Sequence, residues 1–595
     1  LQKAMRKELR KNPKHWEARI LLSEARLATG TLAADLVEAD EMADYWNSGE
    51  IKAAKDLRWL GRALHLTGYF QDAFDILNEA LDQDPTDQKT LVFLVELLLD
   101  KEDEAQAGEF LGRLLKMNPN HFRGRIWAAE MDISSDNDYA RANKRIQSVL
   151  KHNPNAVPAL QEQSRAFIHT EQYTQALMSL NRALKVNPND IKTHALIATC
   201  HVLMEQESLA DASVKRALKV HPRAAFVYHT MAENLVIHHR YQDAVQLERK
   251  AIALDPEYWP SVVGLGIGYS RLGDDEKANE YLQLAFEHDS YNRRAYNMTA
   301  LFYDGPAKKM TWHSVPPFRL RLDRQEESVL EPLFVPFLKK AYAHHSKAYG
   351  FRPQKPLHIE VFPDPTTFSI RTTGFPRLGA HGVCFGHVVT SQSPSAGNFN
   401  WGMVLWHELA HVWHIQMSRS RVPRWFTEGL AEHETTLQRP EWRREMDYEL
   451  WEALKNGQLK GVSEFNTMFT QAKSFHEILL AYYFASKVVA FIDHKWGFEI
   501  FPKMLLAWGE KKSTTAVFKQ ELGLDLETFD DLVRQDLRTR VLARFNHEFS
   551  PGKSDVSEPI RTAYKSGLEA LKKGDNTAAS LHLDAVLASG ADGTR

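Results

Sequence analysis

Residues 404–414 read VLWHELAHVWH, which places His407 and His411 four residues apart with Glu408 beside the first. On a helix that interval is one turn, so both imidazoles lie on one face. Two neutral imidazoles on one face suit a divalent zinc ion, which then takes a third protein ligand and keeps a position open for water. Glu408 stands where it can reach that water as a general base without being a ligand. Alone, the motif also fits a histidine-rich amphipathic helix, because the chain carries 26 histidines. A second motif separates the two. RWFTEGLAEHE follows, with sixteen residues between His411 and Glu428. That interval lets the first helix finish, a loop through Pro423 turn, and a second helix bring Glu428 back. A carboxylate there completes a His₂Glu set for one Zn²⁺ ion.

The elements that must position these residues occupy the second half of the chain. QEESVLEPLFVPFLKKAYAHHSKAYG predicts an amphipathic helix with a break near Pro332 or Pro336. LHIEVFP (357–363) alternates as a strand does, and GVCFGHVVTSQS (382–393) is a second strand candidate behind the loop PRLGAH. From there to Phe549 the pattern is mainly helical, so residues 318–549 read as one α+β domain. GPAKKMTWHSVPP, inside residues 304–317, reads as a connector, and 550–558 as another linker.

Residues 1–303 are a repeat. Prolines recur at Pro85, Pro119, Pro154, Pro188, Pro222 and Pro256, at intervals of 34, 35, 34, 34 and 34 residues. Twelve residues before each slot, and before the next slot at Ser290, stands an alanine: Ala73, Ala107, Ala142, Ala176, Ala210, Ala244 and Ala278. A small residue lets two helices approach closely, and the proline stops the second helix before the next unit. Pro13 and Pro85 are 72 residues apart, room for two slightly long units. Residues 559–595 predict one more pair, with Gly567, Gly574 and Ala579 in the corresponding places, and a repeat array that continues past Arg595.

The register of small residues and prolines resembles the tetratricopeptide repeat, over roughly residues 1–303 and again at 559–595. That resemblance implies a superhelix whose concave face binds peptides or protein partners. HELAH followed by WFTEGLAEH resembles the gluzincin metallopeptidases, which include thermolysin and the zinc aminopeptidases. It is closer still to the bacterial peptidase MA-like domains attached to tetratricopeptide repeats. The resemblance implies His407, His411 and Glu428 as zinc ligands, Glu408 as base, and peptide-bond hydrolysis. It further implies Glu432 as an outer acid that hydrogen-bonds a ligand histidine. Tyr482 is implied as the hydroxyl that stabilises the oxyanion, with Tyr483 second. It also points to an edge strand before the motif helix, with backbone around Gly386 to Val389 binding substrate as an added strand. The Gly-Ala-Met-Glu-Asn motif of the aminopeptidases has no intact copy here. His414 reads as an outer or surface residue rather than a competing ligand. His433 also lies near the site, and His381 and His387 read as loop and strand residues.

Composition sets the outer bounds. At 595 residues the chain needs several domains, and 43% hydrophobic with 25% charged residues is ordinary globular content. A net charge of −3 gives no electrostatic case for nucleic acid. Cys200 and Cys384 are too far apart in sequence to suggest a disulfide framework. No uninterrupted apolar run predicts a membrane span. The chain starts at Leu1 already in helical sequence and reads as trimmed, which leaves a periplasmic or secreted location open. Two rivals to the peptidase follow from the same residues. One is a peptidase-like scaffold that only binds; the other is a zinc hydrolase acting on a non-peptide amide.

Overall fold

The computed structural model describes residues 1–29, 36–47, 49–134, 138–472, 474–543, 545 and 558–588. Its first half is a stack of antiparallel helix pairs. The first described pair, Trp16–Leu27 with Val37–Asn47, and the next, Ala54–Leu66 with Phe70–Gln83, fill the long interval between Pro13 and Pro85. Six more pairs follow, ending with Trp259–Leu272 and Asp275–His288. The seven alanines all lie in the second helix of their pair, and none is more than 3% exposed. They are the places where a larger side chain would hold neighbouring helices apart.

The turn inside six of the described pairs has a residue with its backbone in the left-handed region. Gly68 and Gly273 supply it without strain, but Glu102, Glu171, Glu205 and His239 occupy the same slot at φ of 56 to 60°. Each costs roughly 1–3 kcal/mol relative to relaxed backbone. Several of these turn residues reach the second half of the chain. Glu205 pairs with Arg421 at 2.9 Å, and Glu171 accepts a hydrogen bond from the Asn466 side chain. Part of the array's surface is therefore taken by the chain's own second half.

That half is built on a five-stranded mixed sheet of order β1-β2-β3-β5-β4. The strands are β1 (Met310–Val315), β2 (Phe318–Asp323), β3 (Leu357–Phe362), β4 (Gly382–Cys384) and β5 (Val388–Gln392). β3 lies where the alternation predicts it. β1 falls inside the segment expected to be a connector, and β2 directly follows it. Arg321 disguises β2 as a solvent-facing run, yet it is 6% exposed and pairs with Asp275 of the array at 3.0 Å and Glu360 of β3 at 3.3 Å. Arg371 adds a 2.6 Å bond to Glu360 and a 3.0 Å bond to the Ser270 carbonyl. The sheet is thus fastened to the last repeats through buried charge. Apolar residues of both, such as Phe302 and Phe362, share one core.

The expected single strand 382–393 is a hairpin, β4 and β5, with Gly386 at φ +88° between them. The expected break near Pro332 or Pro336 is absent, and Glu327–Tyr349 is one helix. Both prolines lie on its exposed face, where the carbonyls they leave unbonded meet water. The motif helix Trp401–Met417 packs on β4 and β5, the glutamate helix Arg424–Gln438 packs on the motif helix, and the long helix Phe475–Trp496 packs on the glutamate helix. That third helix is long and apolar enough to cross a membrane by length and composition, and here it contributes Ala481, Phe484, Val488 and Ile492 to the core. The expected linker 550–558 lies outside the described residues except Glu558, which starts the helix Glu558–Lys572. That helix pairs with Asn576–Ala588 through Gly574. Ala579 is buried there, as the repeat pattern predicts.

Candidate metal centre

The motif helix starts at Asn400, whose side chain accepts a 3.0 Å bond from the Met403 N–H. Leu405, Trp406, Leu409, Val412 and Trp413 face the core and are fully buried, which fixes the rotation of the helix. That rotation turns His407 and His411 toward the glutamate helix, with ring centroids 4.8 Å apart. Gly429 lets this second helix come close to the long helix, because a Cβ there would stand 2.6 Å from the Ala485 carbonyl oxygen. Glu428 is thereby held opposite the histidines. Its Oε2 lies 3.2 Å from His407 Nε2 and 3.4 Å from His411 Nε2.

Those distances match the donor set. Ligand atoms about 2.0 Å from a tetrahedral zinc are separated by ~3.3 Å, so two imidazole nitrogens and one carboxylate oxygen here fit a single ion. The three side chains are 13%, 10% and 15% exposed, so they are enclosed but reachable. Burial alone would lower His407 and raise Glu428. The hydrogen bond to Glu428 and the charges of Glu432, Glu408 and Glu428 outweigh it and lift His407 to about 9, while hydrogen bonds and charge from His407 and His411 hold Glu428 well below the usual carboxylate range.

Glu408, the residue after His407, lies against β4. Gly382 makes room for it, since a Cβ at that position would meet Glu408 Cγ at 2.7 Å. Burial pushes the Glu408 carboxyl above its ordinary value, the direction a general base needs. Glu432 lies behind the site, 3.5 Å from His407 Nδ1, and both its oxygens take 3.1 Å bonds from Arg444. Tyr482 comes within 6.4 Å of His407, ring to ring, and stands edge-on to Phe469. Burial and then Glu428 push its hydroxyl well up, so it keeps its proton. Tyr483 points away and donates to Asp447. Of the two tyrosines, the geometry brings only Tyr482 to the site.

The expected substrate strand is misplaced. Val388 and Val389 lie in β5, an inner strand paired with β3 on one side and β4 on the other. Their backbone groups are already bonded, so they cannot accept an added strand. The edge is β4, three residues earlier in the hairpin and next to Glu408.

Three residues escaped the sequence reading. Thr427 Oγ1 lies 2.8 Å from His411 Nδ1 and 3.0 Å from His414 Nδ1. Only the reach of a hydroxyl one residue before Glu428 could have marked it. Arg424, one turn ahead of Glu428, lies over the Phe469 ring, near enough for Tyr482 and Glu428 to raise its guanidinium. His239, from a turn of the array, comes near enough for the charges of Arg424, Glu428 and His411 to act on it. Its place in a turn slot that holds glycine or glutamate in the other described pairs is the signal. His414 is no surface residue: it is fully buried and reaches Glu434 at 3.1 Å. His433 pairs with Asp493, His381 stacks on Phe399, and His387 lines a cavity of about 540 Å³ between array and sheet.

The tetratricopeptide-repeat family model matches residues 65–130. The array contains tetratricopeptide repeats. No curated protein matches the chain. Among solved structures, a MamA double mutant is 20% identical, covering 28% of this chain and 93% of its own, at a TM-score of 0.24. A tetratricopeptide repeat protein from Parabacteroides merdae is 14% identical, covering 42% and 98%, at 0.28. YrrB, described as a TPR protein with an unusual peptide-binding site, is 20% identical, covering 31% and 96%, at 0.19.

Proposed function

We propose that the chain is a zinc metallopeptidase whose repeats bind protein. The convergence of His407 Nε2, His411 Nε2 and Glu428 Oε2 on one point, with Glu408 alongside, carries this reading. The zinc ion, when bound, supplies Lewis acidity toward water and the scissile carbonyl. The protein's own part follows from the geometry. Glu408, raised by burial, takes a proton from the attacking water and returns it to the leaving amine. Tyr482 offers a protonated hydroxyl for the oxygen that gains charge, and Arg424 beside it adds a fixed cation. β4 offers an edge on which an extended peptide would pass Glu408.

The repeats add selection. Tetratricopeptide repeats bind protein segments, and His239 of the array lies near enough to feel the charges of Glu428 and His411, so a substrate held by the array is delivered toward the metal. The test combines zinc content with cleavage of an unbiased peptide library. One zinc per chain with cleavage supports the peptidase; zinc without peptide cleavage turns the reading toward another amide; no zinc leaves a binding scaffold.

A further inference from the structure

Behind the candidate site runs an unbroken line of polar groups, partly buried at Thr427 and buried from His414 onward. It starts at His411 Nδ1, passes Thr427 Oγ1 at 2.8 Å and reaches His414 Nδ1 at 3.0 Å. His414 Nε2 then lies 3.1 Å from Glu434 Oε1 and 2.7 Å from the Tyr349 hydroxyl, which itself bonds Glu434. The other oxygen of Glu434 lies 2.7 Å from His345 Nδ1. His345, His414 and Glu434 are at most 1% exposed, and Tyr349 is 3% exposed.

We infer that Thr427, His414 and Glu434 are positioning residues that lock the ring of His411 in the tautomer and orientation needed to bind a metal through Nε2. The inference rests on the proposed zinc site, and the direction of every bond follows from it. A histidine that binds through Nε2 carries its proton on Nδ1, so His411 donates to Thr427 Oγ1. A hydroxyl has one proton, so Thr427 spends it on His414 Nδ1. His414 is then protonated on Nε2 and donates to Glu434, which accepts from Tyr349 and His345 as well. His345 Nε2 has no hydrogen-bond partner, as expected if its single proton is on Nδ1 and committed to Glu434. The opposite tautomer of His411 would leave two acceptors, Nδ1 and His414 Nδ1, competing for one hydroxyl proton. A carboxylate on a ligand histidine is a common support; here the carboxylate acts from two residues away, through a threonine and a second histidine.

The test measures zinc affinity of the full chain by competition with a chelator, alongside thermal unfolding of the metal-free protein. Thr427→Val keeps the shape and removes the hydroxyl, and should weaken zinc binding ten- to a hundredfold. Thr427→Ser restores the hydroxyl and should bring affinity back to within about threefold of the unmodified chain. Equal affinity in Thr427→Val and the unmodified chain overturns the inference, as does a serine variant as weak as the valine one. If Thr427→Val does not fold, Glu434→Gln carries the test, with a tenfold or larger loss expected and an unchanged affinity overturning it. An unmodified chain that binds no zinc overturns the metal site itself, a failure seen before any variant is made.

Discussion

His407, His411 and Glu428 form one group of two imidazoles and a carboxylate; His344, His345 and Glu434 form another. Both lie against the motif helix, and both bring potential ligand atoms within 4.8 Å of one another. They differ in what the carboxylate already does. Glu434 is saturated by His345, His414 and Tyr349, deep in the core, and His344 stands exposed beside it. Burial would raise its carboxyl, but His345 and His414 hold it well below the usual range. Among the described residues, Glu428 pairs with the two Nε2 atoms that a metal would claim, and all three side chains keep some exposure to solvent. Residue type does not separate the clusters. Lone-pair direction and access do, and in the proposed reading one cluster binds the ion while the other braces it.

The largest test of that distinction removes one histidine from each cluster. His411→Ala should abolish zinc binding, a loss beyond the ~100-fold that an outer hydrogen-bond partner is worth. His344→Ala should leave the affinity unchanged in the same titration. Comparable losses from both would mean that the two clusters are not functionally distinct. Next in size is Glu408→Gln, which keeps the ligand set. Peptide turnover should fall ~10²–10⁴-fold while zinc content stays at one per chain. Turnover at the unmodified rate would remove Glu408 from the mechanism.

Stability should rank the clusters the other way round. Glu434→Ala strips a fully buried anion from two buried histidines and a tyrosine, which costs about 3–5 kcal/mol in urea unfolding of the metal-free chain. Glu428→Ala should cost less than half of that, because Glu428 and its histidines are reached by water, which screens and replaces the lost interactions. Equal losses would show that the open cluster is also a structural one.

Much of this was legible in the residues, and what was not has physical causes. The seven alanines are spaced by the geometry of a repeating helix pair, so period alone revealed them. Glu428 was legible because WFTEGLAEH places a carboxylate one helix after HELAH. Thr427 and His414 were not, since their roles depend on the relative rotation of two helices, which only packing sets. β2 was hidden by Arg321, a cation buried because Asp275 from a distant repeat meets it. The helix through Pro332 and Pro336 survived because both prolines face solvent. The substrate edge was misplaced by one hairpin arm, because Gly386 reads the same in a strand as in a turn.

The smallest expected effect extends the comparison to the array, which has a buried histidine–glutamate pair with no metal geometry. His229 Nδ1 lies 3.0 Å from Glu248. Burial would lower this histidine, but Glu248 and Glu233 outweigh it and raise it to about 9. An unfolded histidine titrates near 6.5, so the pair's contribution is complete below that pH and is lost as the pH rises through about 9. Its size is about 1–3 kcal/mol, from a shift of this order in a buried group. His229→Gln keeps a polar side chain and removes the proton linkage. The gap in unfolding free energy between the unmodified chain and this variant should therefore be widest near pH 6 and should narrow through pH 9. A gap that stays constant over that range would mean that the pair holds the array by packing and not by charge. The array would then differ in kind from the Glu434 cluster, where charge does the bracing.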